Sequence, residues 1–264
     1  MAEARTFRPS TWMRSQAAST TYVFRLILTI FGKSFLSTST NLPASRNLLS
    51  SLQREFLGIF AGLPDQDKFY LTGGTALAEF YLGHRLSYDL DFFTAQTDLI
   101  LPFSRQLESA CAQQDIGLTV IRRFATFVQL TFSREDASHK VDLALDSPFR
   151  LEPPLFCKYG VYINNYTDLI IDKVLAYFGR SEPRDAIDLY FIIQREPLDR
   201  LLSLAAQKDT GFDLYWFAVA LNRVSSFPDE IERWPVKMLV EINPADIKKR
   251  FQSLAIELMN RISS

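Results

Sequence analysis

The chain has 264 residues, of which 47% are hydrophobic and 22% charged, with a net charge of −1. Such a composition supplies apolar material for one large domain or two small ones and excludes global disorder. The near-neutral charge argues against a surface that grips nucleic acid everywhere, while leaving room for a local basic groove. The two cysteines, Cys111 and Cys157, make no disulfide framework and point to a reducing, cytoplasmic compartment. With only His84 and His139 present, any metal is expected on oxygen ligands.

Residues 1–45 are rich in Ser and Thr, almost free of acids after Glu3, and carry no lasting periodicity. The apolar run Val23–Gly32 is broken by Arg25 and followed by Lys33, too short and too charged to span a bilayer. It resembles a signal peptide only faintly. The segment reads as a poorly ordered extension or as a translation start set too far upstream. From about Ser45, Leu48, Leu49, Leu52, Phe56, Ile59, Phe60 and Leu63 form the apolar stripe of a helix that Pro64 and Asp65 end.

The next stretch, Phe69 to Thr94, predicts strand, glycine turn, helix, short turn and strand. Phe69–Leu71 is the first strand. Gly73 and Gly74 permit a turn that other residues resist, and Thr75 is read as the cap of a helix to about Leu82. Amides at such a helix start form a ready anion site. On the following strand, Tyr88–Phe93, the period of two puts Asp89 and Asp91 on one side and Leu90 and Phe92 on the other. Either feature alone is ordinary. Together they pair a phosphate cradle with two carboxylates in apolar company, which suits Mg²⁺ carrying a nucleotide's phosphates.

A helix is expected over 101–114, then strands over 118–123, 127–133 and 139–146. In the third of these Asp142 sits between Val141 and Leu143. The pattern leaves it open between a solvated face shared with Lys140 and Asp146 and a third carboxylate near the first two. After the prolines at 148, 153 and 154, a last strand is expected over 160–164, then helices. Thr167 is read as capping a helix to about Gly179, on which Lys173 and Arg180 share a face. Asp185 and Asp188 read as helix-surface partners of Arg180 and Arg184. From Leu198 onward the chain reads as helical, with Tyr215, Trp216, Val219, Phe251, Leu254 and Leu258 as core.

The run Leu-Thr-Gly-Gly-Thr-Ala-Leu-Ala through Tyr-Asp-Leu-Asp-Phe-Phe resembles the first motif of the AbiEii/AbiGii toxin family of nucleotidyltransferases, in the DNA polymerase β-like superfamily. Asp168-Leu-Ile-Ile-Asp-Lys173 resembles that family's third motif and Arg184-Asp185-Ala-Ile-Asp188 its fourth. Where the superfamily usually has Gly-Ser, this chain has Gly74-Thr75, which keeps a hydroxyl. The resemblance implies an α+β fold: a polymerase-β-like lobe with a mixed sheet over 46–165, then an α-helical lobe over 166–264, with the active site in the cleft between them.

It further implies two Mg²⁺ ions on Asp89, Asp91 and Asp142, with Asp142 helping to deprotonate the acceptor and Asp146 the weaker candidate for that role. Gly73, Gly74 and Thr75 would cradle the triphosphate of a nucleoside triphosphate. Lys173 would touch the phosphates with a flexible ammonium, Arg180 and Arg184 would stand beside it, and Asp185 and Asp188 would orient these bases. The acceptor would be RNA, tRNA included, or protein, and the context a toxin with a cognate antitoxin and no membrane. The alternative is a catalytically silent nucleotide- or partner-binding scaffold of the same fold. A metal-dependent phosphodiesterase would need more His and acids.

Overall fold

A computed structural model of the chain describes residues 43–263. The reading of 1–45 as an extension therefore lies, but for its last three residues, outside the described residues. Helix α1 (Ser51–Ala61) opens with a capping box between Ser50 and Gln53, which satisfies two backbone amides at once. The Gln53 amide also donates to the carbonyls of Ser87 and Tyr88, at 3.2 and 3.0 Å. That ties α1 to the chain just ahead of Asp89.

Strands β1 (Tyr70–Thr72), β3 (Leu90–Thr94), β4 (Gly117–Phe124), β5 (Phe127–Arg134), β6 (Ala137–Leu145), β7 (Leu155–Phe156) and β8 (Tyr162–Ile163) form a seven-stranded sheet in the order β4-β5-β6-β3-β1-β8-β7. β3 runs parallel to β6 and β1 to β8, and the other neighbours are antiparallel, so the sheet is mixed. Alternation decides which face is dry. Leu90, Phe92, Val128, Leu130, Phe132, Val141 and Leu143 are buried, while their neighbours in sequence are not. Helix α1 and helix α3 (Ile100–Ala112) supply much of the cover. Phe60 stacks on Phe92 with centroids 3.8 Å apart, Phe56 on Phe132 at 4.2 Å, and Phe103 packs on Phe60 and Phe69. Each such ring contributes roughly 1.5–3 kcal/mol through burial, enough to fix the register of every strand beneath it.

After β8 come the helices α4 (Tyr166–Arg180), α5 (Pro183–Ile192), α6 (Leu198–Lys208), α7 (Leu214–Asn222) and α8 (Pro244–Ser263); α5, α6 and α7 pack on α4, and α8 packs on α7 and α5. Asn165, not Thr167, caps α4, its side chain accepting from the Asp168 amide; the Thr167 hydroxyl instead donates to Glu152 at 2.8 Å. Asn165 stands just ahead of the first helical residue, the position from which a side chain accepts from the amide three residues on, whereas Thr167 already lies inside the first turn. Phe251, Leu254 and Leu258 are buried as expected, but Tyr215 and Trp216 are 44% and 58% exposed. They flank the α7 N-terminus on its outer side, while Phe217, Ala218, Ala220 and Leu221 take the core. The chain beyond Leu198 is not wholly helical either. β9 (Lys237–Met238) pairs with the short β2 (Arg85–Leu86). No helix among the described residues is long and apolar enough to cross a membrane.

Candidate active site

The sheet sets the carboxylates. Asp91 on β3 is the direct cross-strand partner of Asp142 on β6, and it is flanked on its other side by Thr72 of β1. Strands lie about 4.8 Å apart and paired residues share a face, so both carboxylates rise from the side opposite the phenylalanine core. Asp89 lies one residue ahead of β3, on the same parity as Asp91. Gln129 of β5 continues the row and donates its amide to Asp142 Oδ1 at 3.0 Å. Burial pushes the Asp91 carboxyl up to about 6, with Asp142 and then Asp89 adding repulsion and Lys173 and Arg180 opposing it. Burial, with Asp89 assisting, also raises Asp142, against the Gln129 hydrogen bond. Asp146 stays apart: its carboxylate accepts from the Tyr70 hydroxyl, and it does not line the pocket.

Helix α2 (Gly73–Leu77) begins directly at the end of β1 and runs on as a π turn over Ala78–Leu82, ended by Gly83. Two glycines are needed here for reasons that the backbone makes explicit. Gly73 sits at φ +70°, and a Cβ on it would collide with Asp91 Oδ2; a Cβ on Gly74 would meet the Arg85 guanidinium. Thr72, not Thr75, is the capping position. Thr75 is buried inside the helix, where its hydroxyl donates to the Asp89 carbonyl. The hydroxyl that stands in the place of a serine thus holds Asp89's backbone and does not face the pocket.

Across the pocket, α4 and α5 supply the cations, held more tightly than expected. Asp188 is fully buried and accepts from Arg85 Nε and Nη2 at 2.7 and 2.9 Å and from His84 Nε2 at 2.7 Å, with Lys173 Nζ at 2.8 Å. Burial alone would raise Asp188, but the Arg85 and Lys173 charges hold it well below the usual carboxylate range. Lys173 also donates to Asp185 Oδ1 at 3.3 Å, and Arg180 makes a fork on Asp185 at 2.6 and 3.0 Å. So Lys173 is no flexible ammonium; it is buried and clamped by two acids. Asp185 and Asp188 are not helix-surface ion pairs, since both are fully buried. Arg180 and Arg184 remain about half exposed, with Arg184 3.7 Å from Asp89.

These residues line one pocket of about 530 Å³, its walls including Gly73, Gly74, Asp89, Asp91, Asp142, Lys173, Arg180, Arg184 and Asp185. That volume lies within the span of small-molecule sites, about 300–1,000 Å³. The family model described as "Nucleotidyl transferase AbiEii toxin, Type IV TA system" matches residues 56–259, which includes every one of them. The chain belongs to this AbiEii nucleotidyltransferase family. It is 29% identical over 194 residues to an uncharacterized protein of Aquifex aeolicus, covering 70% of this chain and 85% of that one. Two solved structures from Helicobacter pylori share the fold at 17% identity: a candidate nucleotidyltransferase, with a TM-score of 0.55 over 80% of this chain and 93% of its own, and JHP933, with 0.53 over 81% and 95%.

As a member of the AbiEii family, the chain is a nucleotidyltransferase with the α+β, mixed-sheet architecture expected of it. The donor set suits magnesium in kind, being all carboxylate and mutually repelling. It is not gathered into a ready cage, for among the described residues no three His, Cys, Asp or Glu side chains stand as a metal-binding group. Asp89 leans to Arg184 and Asp142 to Gln129. Two residues of this AbiEii chain carry more of the site than the sequence revealed. Arg85 is 4% exposed and lines the pocket, and His84 is 1% exposed beneath it. The one signal was a basic pair set beside apolar residues, which points to a buried anion without saying which acid supplies it.

Proposed function

We propose that this chain is a magnesium-dependent transferase that moves a nucleoside monophosphate from a nucleoside triphosphate onto an acceptor hydroxyl of RNA or protein. The observation that carries the reading is the cross-strand pairing of Asp91 with Asp142, with Asp89 two residues before, on the floor of a cation-walled pocket. The catalytic residues are Asp89, Asp91 and Asp142, and the site lies between a sheet lobe, 46–165, and a helical lobe, 166–264. Magnesium on these carboxylates would supply positive charge to the reacting phosphate. The acceptor oxygen bonds the α-phosphorus as the bond to the β-phosphate breaks, and pyrophosphate leaves.

The chain's own residues do the rest. The first amides of α2, at Gly73, Gly74 and Thr75, have no intrahelical acceptor and point their donors at the triphosphate. Arg180 and Arg184, half exposed, meet the phosphate oxygens. Lys173 acts as a fixed charge behind them, because Asp185 and Asp188 hold it in place. Asp142, its proton affinity raised by burial, takes the proton from the acceptor hydroxyl while Gln129 steadies its other side. The reaction runs in the cytoplasm, and the family's toxin description suggests a growth-arresting role opposed by an antitoxin from a neighbouring gene.

The test is transfer of label from α-³²P nucleoside triphosphates, with Mg²⁺, to total RNA or to cell lysate. Label in a macromolecular fraction that is lost with Asp91→Asn supports the proposal. Equal labelling by wild type and Asp91→Asn, or none by either, defeats it. Growth arrest on expression that Asp91→Asn abolishes supports the toxin role.

A further inference from the structure

The sheet face that carries the carboxylates does not stop at the pocket. It continues outward across β6, β5 and the edge strand β4 as two rows of paired residues. One runs Asp91, Asp142, Gln129, Arg122, and the row beside it runs Phe93, Ala144, Phe127, Phe124. Since paired residues and alternate residues share a face, Arg122, Phe124 and Phe127 stand on the same side as Asp91 and Asp142. Lys140, two residues before Asp142, belongs to that side as well and lines the pocket.

A β-bulge decides this arrangement. On β4 the register jumps between Val120, opposite Leu130, and Arg122, opposite Gln129, leaving Ile121 as the extra residue. Without the insertion Ile121 would oppose Gln129, and Arg122 would oppose Val128, whose side chain lies in the core. The bulge turns Arg122 from the core side to the carboxylate side, the kind of re-aiming for which bulges are used.

The residues so exposed share one chemistry. Arg122 and Lys140 are exposed and make no ion pair within 4 Å among the described residues; their charges are felt at Asp142. Phe124 is 61% exposed, an unusual place for a large ring, and its cross-strand partner Phe127 is half-buried beside it. Unpaired cations beside exposed aromatic rings, in register with the acids, complement a phosphate backbone with unstacked bases. Arg122 lies two strands from Asp142, about 10 Å away, the reach of one or two nucleotides behind a terminal hydroxyl.

We propose that the β4–β6 face is the docking platform for the single-stranded 3′ end of a nucleic-acid acceptor, with Arg122 and Lys140 on its phosphates and Phe124 and Phe127 under its bases. This rests on the transferase reading above, in which the acceptor hydroxyl lies at Asp142, but its main test is RNA binding, which needs no transfer. A fluorescein-labelled, random-sequence 12-nucleotide RNA is titrated with the full chain without nucleotide, and anisotropy is followed between 50 and 200 mM salt. The expected results are saturable binding by wild type and roughly tenfold weaker binding by Phe124→Ala with an unchanged salt slope. Arg122→Gln should lower the slope of log K against log salt by about one.

Both side chains are solvent-facing, and unchanged melting temperatures confirm that the variants fold. Duplex RNA of the same length should compete less well than the single strand. Absence of binding by wild type, or equal affinities and salt slopes in wild type and both variants, overturns the platform. So does label transfer to protein alone that Arg122→Gln and Phe124→Ala reduce. A failed transfer assay alongside intact, variant-sensitive RNA binding sinks the transferase reading and leaves the platform standing.

Discussion

Replacing Asp188 by Asn tests how the cationic wall of the pocket is built. Asp188 is fully buried, and one carboxylate serves Arg85 at 2.7 and 2.9 Å, Lys173 at 2.8 Å and His84 at 2.7 Å. Asn keeps the volume and one acceptor oxygen but none of the charge. Lys173 retains Asp185 at 3.3 Å, whereas Arg85, 4% exposed, loses the one carboxylate it touches among the described residues and keeps only the more distant pull of Asp185 and Asp91. Removing one partner of a buried pair costs about 3–5 kcal/mol, because the other is left as an uncompensated charge. Against a total stability of roughly 5–15 kcal/mol, that is a large share. With a urea dependence of about 3 kcal/mol per molar, the unfolding midpoint should fall by about 1–2 M. A loss under about 1 kcal/mol would refute the reasoning, for it would mean that the clamp is already hydrated or charge-neutral. A double-mutant cycle with Arg85→Gln adds a second check. The pair should be coupled by at least about 1.5 kcal/mol, and additive losses would show that Arg85 and Asp188 do not depend on one another.

Gly73→Ala should cost more than about 1 kcal/mol, because φ +70° is strained for alanine and the new methyl meets Asp91 Oδ2; thermal melts and the transfer assay should both register it. Asp91→Asn should lower transfer at least about 100-fold while its melting temperature holds or rises, since it relieves the repulsion with Asp142 and Asp89; a marked drop in stability would count against that electrostatic picture. The pH dependence of stability has a worked sign. Burial lowers the His84 pKa below its ordinary 6.5 despite the Asp188 hydrogen bond. The unfolded chain therefore protonates this residue first, and the His84 contribution to stability falls as pH drops through about 6.5. Asp91, whose folded carboxyl is pushed up to about 6, contributes in the opposite sense below that. Asp188, held low when folded, adds a further loss only near and below about pH 4. His84→Gln keeps a donor for Asp188 and should remove the His84 part of this dependence, read as a smaller stability loss than wild type shows in urea unfolding between pH 7 and pH 5.

The parts of this site that the sequence disclosed are those governed by short-range periodicity. Asp89 and Asp91 share a face because strands alternate, and the apolar residues that alternate with them define the dry side; Asp142 was left open by the pattern, and its place beside Asp91 comes from the pairing of β3 with β6. The glycine pair was legible because few backbones need two in succession before a helix. What escaped depends on contacts between distant segments. Asp188 and Arg85 are 103 residues apart, and no local pattern says that they meet. Lys173 looked free because its two acids lie on the next helix. Thr75 looked like a cap because a hydroxyl near a helix start usually is one, yet helix α2 begins two residues sooner, straight from the strand. Tyr215 and Trp216 fit an apolar stripe, but the stripe of α7 is wide enough that its outer members are left in solvent.

The pairing of β2 with β9 bears on when the molecule becomes competent. Arg85–Leu86 finds its strand partner in Lys237–Met238, and the His84 carbonyl accepts from the Leu239 amide at 2.9 Å. The wall of the pocket that begins at residue 84 is thus buttressed by chain made some 150 residues later. A polypeptide emerging from the ribosome N-terminus first will have exposed all three acids long before that brace arrives. The finished pocket waits for the segment at Lys237–Met238, and a product cut before residue 237 should carry the acids without the cleft that organises them.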